Sequence, residues 1–151
     1  MSNIKKYAPC LVRISVSLVF LWFGINQFLA PEKFYGYLPS WAVNYIGMHM
    51  AYVSQNIRIL ILINGLLEII LGFLLLLGVF TRVSALILSM HLFAIMLSLG
   101  YNDVAVRDFG LSMAAFSVFL NGHDFFCHDN NLKKRIRNKF LIKYLYFFDN
   151  D

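Results

Sequence analysis

Charge is scarce in this sequence: Asp, Glu, Lys and Arg make up 14% of its residues, against 60% that are hydrophobic. The apolar residues fall in a few long runs and mean hydropathy is +0.67, which points to a polytopic membrane protein with no room for a separate soluble domain. Cysteine is nearly absent. Cys10 and Cys127 lie far apart in no C-x-x-C or zinc-like spacing, which excludes a disulfide framework and a dithiol redox pair and leaves two free thiols. No nucleophile elbow, phosphate loop or His-rich haem pattern occurs, so hydrolase and nucleotide-dependent chemistry find no support. Acidic residues are fewer than basic ones, 8 against 13, for a net charge of +5. The excess gathers in Lys133, Lys134, Arg135, Arg137, Lys139 and Lys143, beside the spans, where anionic lipid and not nucleic acid is the expected partner. The stretch His123-Asp124-Phe-Phe-Cys127-His128-Asp129 offers at most three ligands without a finger spacing, so it reads as a polar linker and no metal site is expected.

What the sequence does have is length in its apolar runs. A hydrocarbon core about 30 Å thick needs roughly 20 apolar residues per helix. Four such spans, at residues 9–29, 57–79, 82–101 and 104–122, use up the first 122 residues and predict an all-α bundle of four transmembrane helices. The first run is too long for a signal peptide, and Ala30 precedes Pro31 without an A-x-A pattern, so it reads as an uncleaved span. On that helix Arg13, Ser17, Phe20, Gly24 and Gln27 fall in one narrow arc, which should face the bundle. Pro31–Asn56 reads as a loop rich in aromatics, among them Phe34, Tyr35, Tyr37, Trp41, Tyr45 and Tyr52. Such density fits either a segment at the headgroup level or a cap over a cavity between the helices. In the tail, residues 123–151, Leu132, Ile136, Phe140, Tyr144 and Phe147 recur at helical spacing with basic residues between them, as in an amphipathic surface helix. Lys5, Lys6, Arg13, Arg82 and the basic tail share one side, which places both termini in the cytoplasm and the protein in an inner membrane.

Within these spans one acid stands out. A charge at the middle of a membrane helix costs roughly 2.5–3.5 kcal/mol on insertion scales, so Glu68 requires a partner, a proton or a task. At about 1.5 Å per residue, Glu68 lies about 16 Å in from Ile57, and His91 about 15 Å in from Thr81 on the next helix. The two share the midplane. Asn64 is one turn from Glu68 on the same face, and Ser84, His91 and Ser98 form a stripe on the third span. Arg107 and Asp108 begin the fourth, level with Asn26 and Gln27 at the end of the first. The economical arrangement is an outward-opening polar cavity floored by Glu68 and His91, with Arg13 or Arg107 as charge partner. Polar residues also serve as interhelical glue, and Asn64, Ser84 and Ser98 need no more than that role.

The motifs Trp22-Phe-Gly24-Ile-Asn26-Gln27-Phe28, Gly36-Tyr-Leu-Pro39-Ser-Trp41, Asn64-Gly-Leu-Leu-Glu68 with Gly72 and Gly78-Val-Phe-Thr-Arg82, and Val106-Arg107-Asp108-Phe-Gly110 follow in this order. Together, over roughly Cys10 to Asn121, the chain resembles the DoxX family of small four-helix membrane proteins. That resemblance implies kinship with the DoxD subunit of thiosulfate:quinone oxidoreductase, in a superfamily that also holds membrane chaperones and cargo receptors. Function is therefore not fixed by the fold. The first expectation is a redox-associated subunit that binds a quinone or similar apolar ligand. In it Glu68 and His91 handle protons, while Asn26, Gln27, Asn64, Arg107 and Asp108 orient a polar head. The chain carries no evident electron carrier, so it would act with a redox partner. The alternatives are a non-enzymatic scaffold or chaperone and, third, a small-solute transporter acting as an oligomer. Gly65 and Gly72 offer a small-residue face for a homodimer.

Overall fold

A computed structural model describes residues 4–38, 40–49 and 53–122. The linker and amphipathic helix expected at 123–151 lie outside the described residues. The described chain is all-helical. It comprises α1 (Ile4–Leu29), a 3₁₀ segment (Pro31–Tyr37), α2 (Ser40–His49), α3 (Val53–Leu77), α4 (Thr81–Leu99) and α5 (Asp103–Asn121).

Apolar periodicity and a few backbone signals set these bounds. Pro31 opens the 3₁₀ segment at its first position, where its missing N–H is not needed. The α3–α4 turn reverses the chain through Gly78 at φ +67° and Phe80 at φ +50°. Asn102 caps α5, its side chain accepting from the Ala105 N–H at 2.8 Å, a satisfied donor at a helix start. Two departures from the sequence reading stand out. The expected loop after α1 holds a helix, α2, and α1 starts before Pro9, which it carries within its length.

Among the described residues, three helices are long and apolar enough to cross a membrane: Tyr7–Leu29, Gln55–Leu77 and Thr81–Leu99. The fourth long helix, α5, is shortened in apolar length by Asp103, Arg107 and Asp108 and is not among them.

The distribution of polarity is inverted relative to a water-soluble bundle. Arg13, Ser17, Gln27, Glu68, Thr81, Ser84, Ser89, Asp108 and Ser112 are buried, while Leu11, Leu18, Trp22, Ile63, Leu66, Phe73, Met90 and Leu97 are exposed. In lipid this is the stable order, because the solvent is apolar and polar groups find partners only inside.

Neighbouring helices run in opposite directions. Arg13 near the start of α1 reaches Leu75 near the end of α3, and Gly122 at the end of α5 lies against the Arg82 side chain at the start of α4. Both ends of the described chain therefore lie at the end of the bundle that carries the α3–α4 turn. The 3₁₀ segment and α2 form a cap at the other end. Packing is uneven: α1 pairs closely with α3 and α4 with α5, and the two pairs meet more sparsely. The core between the pairs is Val16, Phe20, Leu75, Ala85, Leu88, Leu92, Ala115 and Val118. A second cluster, Ile46, Ile57 and Ile61 with Phe34, Leu38 and Val43, fastens the cap to α3.

Glycine sets the tightest approach. A Cβ on Gly24 would lie 2.8 Å from the Gly65 carbonyl oxygen, and one on Gly65 would lie 2.9 Å from Gln27 Cβ. Gly72 faces Phe20 and Ser17 of α1 in the same way. The small residues that suggest a dimer face are thus taken up by the α1–α3 contact within the chain.

Candidate functional site

That close approach brings three polar side chains into one cluster. Gln27 Nε2 donates to Glu68 Oε2 at 2.9 Å. Asn64 Nδ2 donates to Glu68 Oε1 and to Gln27 Oε1, each at 2.9 Å. Both oxygens of Glu68 are therefore engaged by neutral amide donors, and the carboxyl is buried. Hydrogen bonds of this kind offset the desolvation of a carboxyl in an apolar surround.

Arg13, expected as the charge partner of Glu68, is used elsewhere. Its Nη1 donates to the carbonyls of Leu75 and Leu76 at 2.6 and 2.7 Å, about two turns along α3 from Glu68. Those carbonyls belong to the last turn of α3, where the helix no longer supplies i+4 donors, and the Leu75 carbonyl also accepts from the Gly78 N–H at 3.1 Å. A buried guanidinium there closes a helix end.

His91 arrives from α4 at the same level. Its Nε2 stands 3.9 Å from Glu68 Oε1, beyond hydrogen-bond reach. That nitrogen is buried and has no hydrogen-bond partner among the described residues. Arg107 and Asp108 come from the first turns of α5. Arg107 Nε donates to Asp108 Oδ1 at 2.8 Å, and Nη2 lies at the same distance from that oxygen. The guanidinium also stacks over the Phe23 ring of α1 at 4.7 Å, so the pair is internally neutral and spans the gap between α1 and α5.

These groups share a cavity of about 360 Å³. Phe20, Phe23 and Gln27 of α1 form one wall, Asn64 and Glu68 with Leu60 and Ile61 of α3 another, and His91, Ile95 and Ser98 of α4 a third. Arg107, Asp108 and Leu111 come from α5, and Phe34, Tyr37, Leu38 and Trp41 of the cap close one end. The volume lies in the range of small-ligand sites, apolar with a few convergent polar groups. Of the residues singled out in the sequence, Glu68, His91, Gln27, Asn64, Arg107 and Asp108 meet here. Asn26 does not: its Nδ2 donates to the Trp22 carbonyl of its own helix at 2.7 Å. Phe23, Ile95 and Leu111 escape sequence reasoning, because an apolar residue on a membrane helix carries no signal that separates a cavity wall from a lipid face.

Residues 8–100 match the sequence model of the DoxX family. No curated protein and no solved structure matches the chain.

Proposed function

The chain belongs to the DoxX family and is an integral membrane protein, and on that footing we propose that its cavity binds a quinone or a similar apolar molecule by a polar head, as a subunit of a redox system. One observation carries this reading: an apolar cavity whose polar end presents, beside Glu68, a buried His91 Nε2 with no partner among the described residues. A polar atom withdrawn from water and given no partner is costly, and a hydrogen-bonding head in the cavity would complete it. Glu68 and His91 are the groups that hold and pass protons at that head. Gln27 and Asn64 fix the orientation of the Glu68 carboxyl, and Arg107, held by Asp108, lines the same space at α5.

The same reading takes α5 as a fourth membrane span. Val106, Phe109, Met113 and Leu120 are exposed while Ala105, Asp108, Ser112, Ala115 and Val118 are buried, an apolar stripe outward and a small or polar one inward. The ends of the described chain then share one side with Lys5, Lys6, Arg13 and Arg82, which favours a cytoplasmic placement for them.

A competing reading, a scaffold whose polar network only fixes the helix arrangement, draws on the Gln27–Asn64–Glu68 cluster, whose members satisfy one another. Titration of a tail-free benzoquinone into detergent-solubilised protein separates the two. Gln27→Ala should weaken binding about tenfold, and Asn26→Ala should leave it unchanged within about twofold. Wild-type protein that binds no quinone, while Gln27→Ala lowers folded yield, would favour the scaffold.

A further inference from the structure

We propose that the cavity is entered sideways from the bilayer, through the gap between α3 and α4, and that its occupant is a lipid-borne amphiphile with a neutral head whose tail stays in that gap. This rests on the cavity being a ligand site.

Four observations carry the entrance. First, the walls of the cavity are unequally closed. Between α1 and α5 the Arg107 guanidinium lies over the Phe23 ring at 4.7 Å, a bridge across that seam. Between α3 and α4 the facing residues are open: Leu60 is 43% exposed, Ala94 and Ser98 are exposed, and all three line the cavity. The α3–α4 pair is joined at the Gly78–Thr81 turn and packs more sparsely than α1 with α3 or α4 with α5, and Leu60, Ala94 and Ser98 lie in the half away from that turn, where the cavity sits.

Second, the cap is not a free door. Ile46, Phe34, Leu38 and Val43 pack on Ile57 and Ile61 of α3, and opening it would expose that cluster. Third, the rim of the gap is apolar. Ser98, its one hydroxyl, donates to the Ala94 carbonyl of its own helix at 2.9 Å, leaving Leu60, Ala94 and Ile95 to face a hydrocarbon chain.

Fourth, the volume limits what fits. A cavity of about 360 Å³ is at the small end of the range for ligand sites, the size of a compact head group. That admits a substituted ring or comparable head with the first carbons of a tail. Any longer chain must leave the cavity, and the gap between α3 and α4 is the apolar way out. The charges select the head. Arg107 is matched by Asp108, and Glu68 adds a carboxyl facing neutral donors, so the cavity offers an acidic head no uncommitted cation among the described residues. A neutral head with hydrogen-bonding oxygens fits the amides and His91 Nε2.

The test uses the full chain in lipid nanodiscs and two probes, a benzoquinone bearing a long polyprenyl tail and the same head without a tail. Ala94→Trp places bulk in the gap, Ser98→Phe does so one turn further on, and Leu97→Trp adds bulk on the exposed face of α4 outside the cavity. Ala94→Trp, or Ser98→Phe if the first does not fold, should lower retention of the tailed probe by about tenfold or more beyond any loss of the tail-free probe. Leu97→Trp should change neither. Equal losses of both probes, or no loss of either, would overturn the lateral entrance while leaving the cavity a ligand site. So would wild-type protein that holds only the tail-free head. Wild-type protein that holds neither probe would overturn the ligand site and the entrance together.

Discussion

Glu68 and His91 sit within 3.9 Å of each other, yet their surroundings assign them different roles in stability. Glu68 is tied to two helices: Gln27 donates from α1 and Asn64 from its own α3. Replacing it by Gln puts an amide N–H where an acceptor oxygen stood, so one of those donors loses its acceptor inside the bundle. Glu68→Gln should destabilise the protein by about 1–3 kcal/mol, read as a lower midpoint in thermal unfolding in detergent. His91 Nε2 has no partner to lose among the described residues. His91→Gln should therefore keep the wild-type midpoint within a degree or two while impairing ligand binding. A large loss of stability for His91→Gln, with binding intact, would place His91 among the packing residues.

The contrast between Asn26 and Gln27 shows what single residues reveal in sequence. The arc Arg13, Ser17, Phe20, Gly24, Gln27 is read directly from helical spacing, and its members are buried or lie on the buried face. Asn26 is one position off that arc, hence about 100° round the helix, and bonds to its own backbone instead. Arg13 is on the arc but not at the level of Glu68. Depth can be counted from a shared turn, as for Glu68 and His91 on α3 and α4, but α1 shares no short turn with α3, so the level of Arg13 follows only from its register at the Leu75 and Leu76 carbonyls.

At the scale of elements, long apolar runs make α1, α3 and α4 visible, because the bilayer demands their length. The cap is less legible. Its 3₁₀ segment and α2 are short and flanked by Pro31 and Pro39, so aromatic density marks the stretch without telling helix from loop. The association of α1 with α3 depends on glycine at two facing positions. Gly24→Ala should drive a Cβ to 2.7 Å from Ile69 Cγ1 and 2.8 Å from the Gly65 carbonyl, forcing the helices apart. The expected cost is about 1–3 kcal/mol, and because Gln27 lies one turn on, ligand affinity should fall with it. A Cβ added at Gly110 would meet nothing within 4 Å, so Gly110→Ala should be neutral or stabilise by up to about 1 kcal/mol through helix propensity. Paired unfolding curves of the two variants check both outcomes. Similar midpoints for Gly24→Ala and wild type would mean that the helices do not depend on this contact.

At the scale of the whole molecule, two tight helix pairs enclose a space that neither pair would form alone. The turn half is filled by the core around Phe20, Leu75 and Leu88, and the cap half is left as the cavity. Polar contacts fasten the filled half: Arg13 of α1 donates to the Leu75 and Leu76 carbonyls of α3 and Ser89 of α4 crosses to the Ser112 carbonyl of α5. A bundle held in this way can keep an apolar cavity without closing it, because the polar contacts elsewhere fix the helix positions. The central claim is that this space is occupied through its polar end. The most direct measurement is native mass spectrometry, with organic extraction of the released molecule, on wild-type and His91→Gln protein taken gently from membranes. A stoichiometric quinone or similar neutral apolar molecule should accompany the wild type and be depleted about tenfold in His91→Gln at equal folded yield. Wild-type protein that flies with an empty cavity, or a molecule retained equally by both, would contradict the account.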